Sequence, residues 1–282
     1  MAGDPAVRIR GLRKTYQRTP AVQDVDLDIE HGEIFALLGP NGAGKTTTIE
    51  ILEGYRDRDG GTVSVLGADP AKAGLGWRRR IGVVLQENGD FPELTVGEVL
   101  NHFACYYPDA RDPDELLEAV GLTDKRDSRV HRLSGGQRRR LDVALGIIGN
   151  PRLLFLDEPT TGFDPAVRRQ FWELISGLRA ADTTILLTTH YLDEAEFLAD
   201  RVAVIAAGKL VDVATPRQLG GRDREQATVA WTDAEGTHEV RTGNPTRTVG
   251  ELAARYHGDV PELSVRRPSL EDTYLQLIGG AR

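Results

Sequence analysis

An α/β fold with a parallel core is what this 282-residue sequence predicts, on three observations. The apolar run Ile34-Phe-Ala-Leu-Leu38 leads into a glycine-rich stretch, Gly39-Pro40-Asn41-Gly42-Ala43-Gly44-Lys45-Thr46, and a helix-forming segment, Thr47 to Glu53, leads out of it. Arg152-Leu-Leu-Phe-Leu-Asp157 and Thr183-Thr-Ile-Leu-Leu-Thr-Thr189 are continuous apolar runs with polar ends, as in strands covered on both faces. A helical stretch from about Pro165 to Ala181 separates them. Asp157, Thr189 and His190 would then stand at the carboxyl edge of a parallel sheet, where such sheets bind ligands.

Residues 7 to 16 and 22 to 30 alternate apolar and polar side chains, most clearly at Val25, Leu27 and Ile29, and read as half-exposed antiparallel strands ahead of the core. The glycine-rich stretch is a phosphate site: its glycines let consecutive N–H groups point inward, and the helix that follows adds the positive end of its dipole. Lys45 would reach the β- and γ-phosphates, and the Thr46 hydroxyl would ligate Mg²⁺. By itself the pattern specifies a nucleoside triphosphate and nothing narrower. Thr62 to Leu66 and Ile81 to Leu85 are short β-branched strands.

Roughly 87 to 150 reads as mostly helical. Thr95-Val-Gly-Glu98 is a capping box opening a helix through about Tyr107, and Pro113 is a first-turn proline for a helix ending near Gly121. Beyond Leu219 the character changes. A linker-like Gly220-Gly-Arg-Asp-Arg precedes a hairpin, Ala227 to Thr232 with Thr237 to Arg241; Thr248-Val-Gly-Glu251 caps a short helix; Glu262 to Arg266 is a strand; and Ser269 begins a terminal helix ending near Gly279. The expected division is 1–220 for the nucleotide-binding unit and 221–282 for a small α+β accessory domain.

Composition narrows the function classes. Hydrophobic residues at 40% and charged ones at 28% are ordinary for a soluble globular chain. No apolar run approaches the roughly 18 residues of a membrane helix, and the Met-Ala-Gly-Asp-Pro start is unlike a secretion signal, so a cytoplasmic location is expected. Cys105 is the single cysteine, which excludes an internal disulfide and a cysteine metal cluster; it reads as a small buried hydrophobe. A net charge of −8 opposes binding to nucleic acid or anionic lipid, and Arg78-Arg79-Arg80, Arg138-Arg139-Arg140 and Arg266-Arg267 read as solvated faces.

Leu133-Ser134-Gly135-Gly136-Gln137, shortly before the strand that ends in Asp157-Glu158, completes a set of motifs in one order: Tyr16, the phosphate loop, Gln86, this signature, Asp157-Glu158, Asp164 and His190. With them the chain resembles the nucleotide-binding subunit of an ATP-binding-cassette (ABC) transporter over roughly residues 7 to 215. The resemblance implies a P-loop NTPase parallel core with an antiparallel β subdomain and a helical subdomain, dimerising head to tail around two ATP molecules. Residues 39–47 would cradle phosphate, Asp157 would hold Mg²⁺ through water, and Glu158 would accept the proton of the attacking water. His190 would contact the γ-phosphate, Gln86 would offer oxygen to Mg²⁺ or water and report to the membrane partner, and Tyr16 would stack on adenine. Ser134, Gly135, Gly136 and Gln137 would complete the site of the other subunit, with Asp164 at the seam. Phe163 stands where many relatives have leucine.

Every half-site is complete in the chain, so a homodimer is expected, with a heterodimer as the alternative. A separate transmembrane permease would hold the subunit at the cytoplasmic face of the membrane. Phe91-Pro-Glu-Leu-Thr-Val and Arg267-Pro-Ser-Leu-Glu-Asp-Thr-Tyr-Leu-Gln-Leu are similar to the multidrug and antibiotic exporter branch. Export is therefore the expected direction. The rival readings are an importer ATPase, a soluble cassette ATPase acting on ribosomes or DNA, and a non-catalytic ATP-binding regulator.

Overall fold

The computed structural model describes residues 4–84, 91–179 and 183–280. In chain order, β1 (Val7–Tyr16) and β2 (Thr19–Ile29) form a hairpin, β3 (Ile34–Leu38) runs into α1 (Lys45–Leu52), β4 (Gly60–Val65) returns to β1, and α2 (Leu75–Arg78) leads to β5 (Ile81–Val84). Then come α3 (Val96–Ala104), α4 (Pro113–Ala119), α5 (Gly135–Ile147), β6 (Leu153–Asp157), α6 (Pro165–Arg179), β7 (Thr184–Thr189), α7 (Leu192–Leu198), β8 (Arg201–Ala206) and β9 (Lys209–Ala214). The tail comprises β10 (Ala227–Asp233), β11 (Gly236–Thr242), α8 (Pro245–Arg255), β12 (Ser264–Arg266) and α9 (Leu270–Gly280).

The central sheet has the order β5-β6-β7-β3-β8-β9, parallel except at β9, so the predicted α/β class is the observed one. Every residue of β3 and β7 is buried, which is why those runs are continuously apolar or threonine rather than alternating. Side chains of β6 divide between two cores. Leu154 and Leu156 join the helices with Leu100, Phe171 and Ile175, whereas Leu153 and Phe155 meet Val7, Ile9 and Ile29 of the antiparallel sheet β2-β1-β4.

Thr95 caps α3 in the expected capping box, and Asp112 with Pro113 starts α4. At Gly82 in β5, an added Cβ would lie 2.1 Å from the Gly146 carbonyl of α5, so the helical subdomain touches the sheet through bare backbone. Gly82→Ala is expected to cost about 1–3 kcal/mol through overpacking. A lowered urea midpoint with unchanged slope is the readout, and an unchanged midpoint would mean that α5 gives way freely.

In the tail, β11-β10-β12 packs Val229 against Leu252 and Val260, with Trp231 alongside. The polar groups are tied together: Tyr256 donates to Asp233 at 2.5 Å, Trp231 Nε1 donates to the Tyr256 hydroxyl at 3.2 Å, and His238 Nε2 lies 2.8 Å from Asp233. The last helix, α9, goes back to the main core, where Leu270 packs with Leu198 and Leu219.

Three expectations are corrected. Arg139, in the triplet read as a solvated face, is buried, its guanidinium donating to the Pro159 and Asp157 carbonyls at 2.9 Å each. Cys105 is exposed, because it stands at the C-cap of α3 with Sγ turned to the Asn101 carbonyl at 3.3 Å rather than toward the core. Thr248 does not cap α8: Asn244 does, accepting from the Arg247 amide at 3.2 Å with Pro245 in the first turn, and Thr248 lies inside the helix. The strands β8 and β9 were not expected from the sequence pattern. Leu85, Gln86 and Ala181 lie outside the described residues. Among the described residues no helix is long and apolar enough to cross a membrane.

Candidate active site

The phosphate loop sits where β3 meets α1. Gly44, at the N-cap of α1, has φ 106°, and a Cβ there would lie 2.3 Å from the Ala21 carbonyl of β2. Only glycine lets the loop lie this close to the antiparallel sheet. Lys45 is buried; its ammonium donates to the Gly39 carbonyl at 2.7 Å and to the Pro40 carbonyl at 3.3 Å. Burial lowers its pKa, while Glu158 and Asp157 work to raise it. Thr46 is exposed and Thr47 half-buried, so the Thr46 hydroxyl is open to a ligand.

Asp157 ends β6 opposite Thr188 of β7 and accepts that residue's hydroxyl on Oδ1. Its other oxygen and the Thr46 hydroxyl are both hard oxygen donors, the kind that Mg²⁺ takes. Glu158 has φ 43°, a left-handed conformation, and its amide donates to Thr188 Oγ1 at 3.0 Å. His190 Nδ1 lies 3.3 Å from Glu158 Oε2, and the Thr161 hydroxyl donates to the same oxygen at 3.3 Å. The structure thus brings Glu158 and His190 into contact at one sheet edge.

Ser134 caps α5: its Oγ accepts from the Gln137 amide at 3.3 Å, and its own amide donates to Gln137 Oε1 at 3.0 Å. The Ser134 hydroxyl keeps a proton to donate, and the first-turn amides of Gly135 and Gly136 have no intrahelical partner, which suits an anion. Asp164 Oδ1 accepts the amides of Ala166 and Val167, both at 3.0 Å, and so caps α6. Ser134, Gly135, Gly136, Glu158 and Asp164 line one open cavity of about 780 Å³. No residue of the phosphate loop lines that cavity among the described residues.

Tyr16 ends β1, with the Arg56 guanidinium 5.3 Å from its ring centroid and Lys14 at 5.6 Å. Gln86, the remaining predicted site residue, lies outside the described residues.

A half-buried carboxyl beside the site escaped the sequence reading. Glu53, at the C-cap of α1, is pushed up to about 8 by burial, with Asp157 and Glu50 adding to the rise. It faces a second cavity of about 780 Å³, shared with Val83 of β5, Phe103 of α3 and Leu145 of α5. Nothing in the residue order marks it, since a glutamate at a helix end is ordinarily solvated.

A family model described as ABC transporter matches residues 22–161. The chain is 38% identical to the daunorubicin/doxorubicin resistance ATP-binding protein DrrA of Streptomyces peucetius, over 97% of this chain and 92% of that protein. It is 37% identical to a fluoroquinolones export ATP-binding protein of Mycobacterium tuberculosis, over 98% of this chain and 94% of that one. Among solved structures it is similar in fold to an ATP-binding subunit of an ABC transporter, with a TM-score of 0.71 at 23% identity over 96% of this chain and 99% of that chain. A dimeric ATP-binding cassette in a post-hydrolysis state with ADP and Pi matches with a TM-score of 0.66 at 25% identity, over 74% of this chain and 98% of that chain.

Proposed function

The chain belongs to the ABC transporter family, and from that premise we propose that two copies close head to tail over two ATP molecules to drive a separate permease. It is an ATPase and the motor subunit of an exporter. What supports the head-to-tail reading is the cavity that unites the Ser134 signature with Glu158 and Asp164 while leaving out the phosphate loop. Of the two phosphate readers only the Ser134 signature lines this cavity among the described residues, and in this reading it serves a partner's triphosphate.

In this reading the phosphate loop and Lys45 hold the β- and γ-phosphates, and Tyr16 stacks on the base, a contact that reads base identity poorly. Thr46 and Asp157 would hold Mg²⁺, with Gln86 as a further oxygen donor; the ion, when bound, neutralises charge on the phosphates. Glu158 takes the proton of the attacking water, and His190, already touching Glu158, orients both. ATP bridging two copies favours the closed dimer, and loss of the γ-phosphate reopens it. Moving such an equilibrium from 1:99 to 99:1 takes about 5.5 kcal/mol of differential binding.

The permease docks in the cleft between α1, β5 and the helical subdomain, where Glu53 meets an apolar wall. The subunit is thereby held at the cytoplasmic face of the membrane, with residues 1–220 as the ATP-binding unit and 221–282 as the accessory part. A homodimer is preferred because both halves of the site are present in one chain, and nucleic acid is not a partner given the charge of −8. The cargo is proposed to be an amphipathic drug or antibiotic. Inverted membrane vesicles holding the chain and its permease should accumulate such a compound when given Mg-ATP; ATP-driven loss of preloaded compound would reverse the assignment.

A further inference from the structure

The turn after Glu158 and the loop after His190 are joined by a buried carboxyl that the nucleotide chemistry does not use. Glu194 of α7 and Thr160 are both fully buried. Glu194 Oε1 accepts the Thr160 hydroxyl at 2.8 Å and the Trp172 indole N–H at 3.0 Å. Thr160 follows Glu158 closely, Trp172 belongs to α6, and α7 begins just after His190, so one oxygen holds three segments.

Arg168, in the first turns of α6, closes the same cluster from the other side. Its guanidinium lies 3.9 Å from the Tyr191 ring centroid, 3.5 Å from the Asp193 carboxylate, and donates to the Phe163 carbonyl at 3.5 Å. Arg168 Nε and Glu194 Oε2 are both buried within the cluster. Burial raises the Glu194 pKa, opposed by the Thr189, Thr160 and Trp172 side chains and by the charge of Arg168.

We propose that Glu194, with Arg168, is a positioning residue that ties the Glu158 turn, the Asp164 loop and the His190 loop into one unit. The carboxylate, the histidine and the seam residue then move together as a site closes. This rests on the roles proposed above for Glu158, Asp164 and His190. Misplacement of a reacting group by about 1 Å can cost ~10²-fold in rate, so the link should show in turnover before it shows in affinity.

The test is steady-state ATPase activity and equilibrium binding of a fluorescent ATP analogue by the full chain. Thr160→Val removes one donor at nearly constant shape, and Trp172→Phe removes the other. Each is expected to lower kcat about 10-fold or more, with affinity changed by less than about 2-fold. Glu194→Gln, which keeps an acceptor oxygen, should stay within about 3-fold of the parent kcat. Thr160→Val combined with Glu194→Ala should be no slower than Glu194→Ala alone, because both break the same link. Parent-like kcat in Thr160→Val and Trp172→Phe, or affinity lost in step with turnover, would overturn the proposal. If Glu194→Ala fails to fold, those two variants decide by themselves. Glu158→Gln run in parallel separates the two readings: full turnover there removes the role of Glu158, whereas an inert Glu158→Gln beside unaffected Thr160 and Trp172 variants removes only the link.

Discussion

Glu158→Gln should fall in kcat by about 10²- to 10⁴-fold, the range of a lost general base, while binding Mg-ATP as the parent does. At 1.36 kcal/mol per decade that is roughly 3 to 5 kcal/mol of barrier. The amide keeps the side-chain length and can accept from Thr161 as the carboxylate does, but it cannot take up a proton from water. With hydrolysis blocked, the contact that holds two copies together is not removed, so an ATP-dependent dimer should accumulate in size-exclusion chromatography. A variant that turns over normally, or one that saturates with ATP and stays monomeric both alone and on its permease, would defeat the head-to-tail reading.

Lys45→Ala attacks the other end of the site. A charged hydrogen bond contributes about 1.5–3 kcal/mol, so losing the only ammonium of the phosphate loop should weaken nucleotide binding by roughly 10- to 100-fold. The substitution also removes the bonds to the Gly39 and Pro40 carbonyls, which brace the loop. Lys45→Met keeps the aliphatic bulk but loses the same charge and donors, so a similar loss would rule out an emptied volume as the cause. Titration with a fluorescent ATP analogue gives the affinity, and a Kd equal to that of the parent would remove Lys45 from phosphate binding.

Much of this was legible in the residue order, for identifiable reasons. Ile34–Leu38 and Thr184–Thr189 announce themselves as central strands because both faces are covered and no position can be charged. Local chemistry likewise gave Thr95 as a cap, since a capping box is complete within four residues. The same rule misled at Thr248, where Asn244 and Pro245 offer an earlier start to the helix. Cys105 misled because burial depends on which way a helix end faces, and the composition of the helix does not set that. The cluster of Thr160, Trp172 and Glu194 could not be read at all: its members come from three segments, and each has a bland local explanation. The Glu53 cleft is of the same kind, created by the approach of α5 to β5 at Gly82 and Gly146.

The left-handed backbone at Glu158 sets durability against chemistry. That conformation costs a residue with a Cβ about 1–2 kcal/mol, and glycine would adopt it with ease. Selection for heat resistance alone would therefore drift toward glycine at this position and yield a sturdier, idle protein. The glutamate held there keeps its carboxylate against His190 at the expense of that sturdiness.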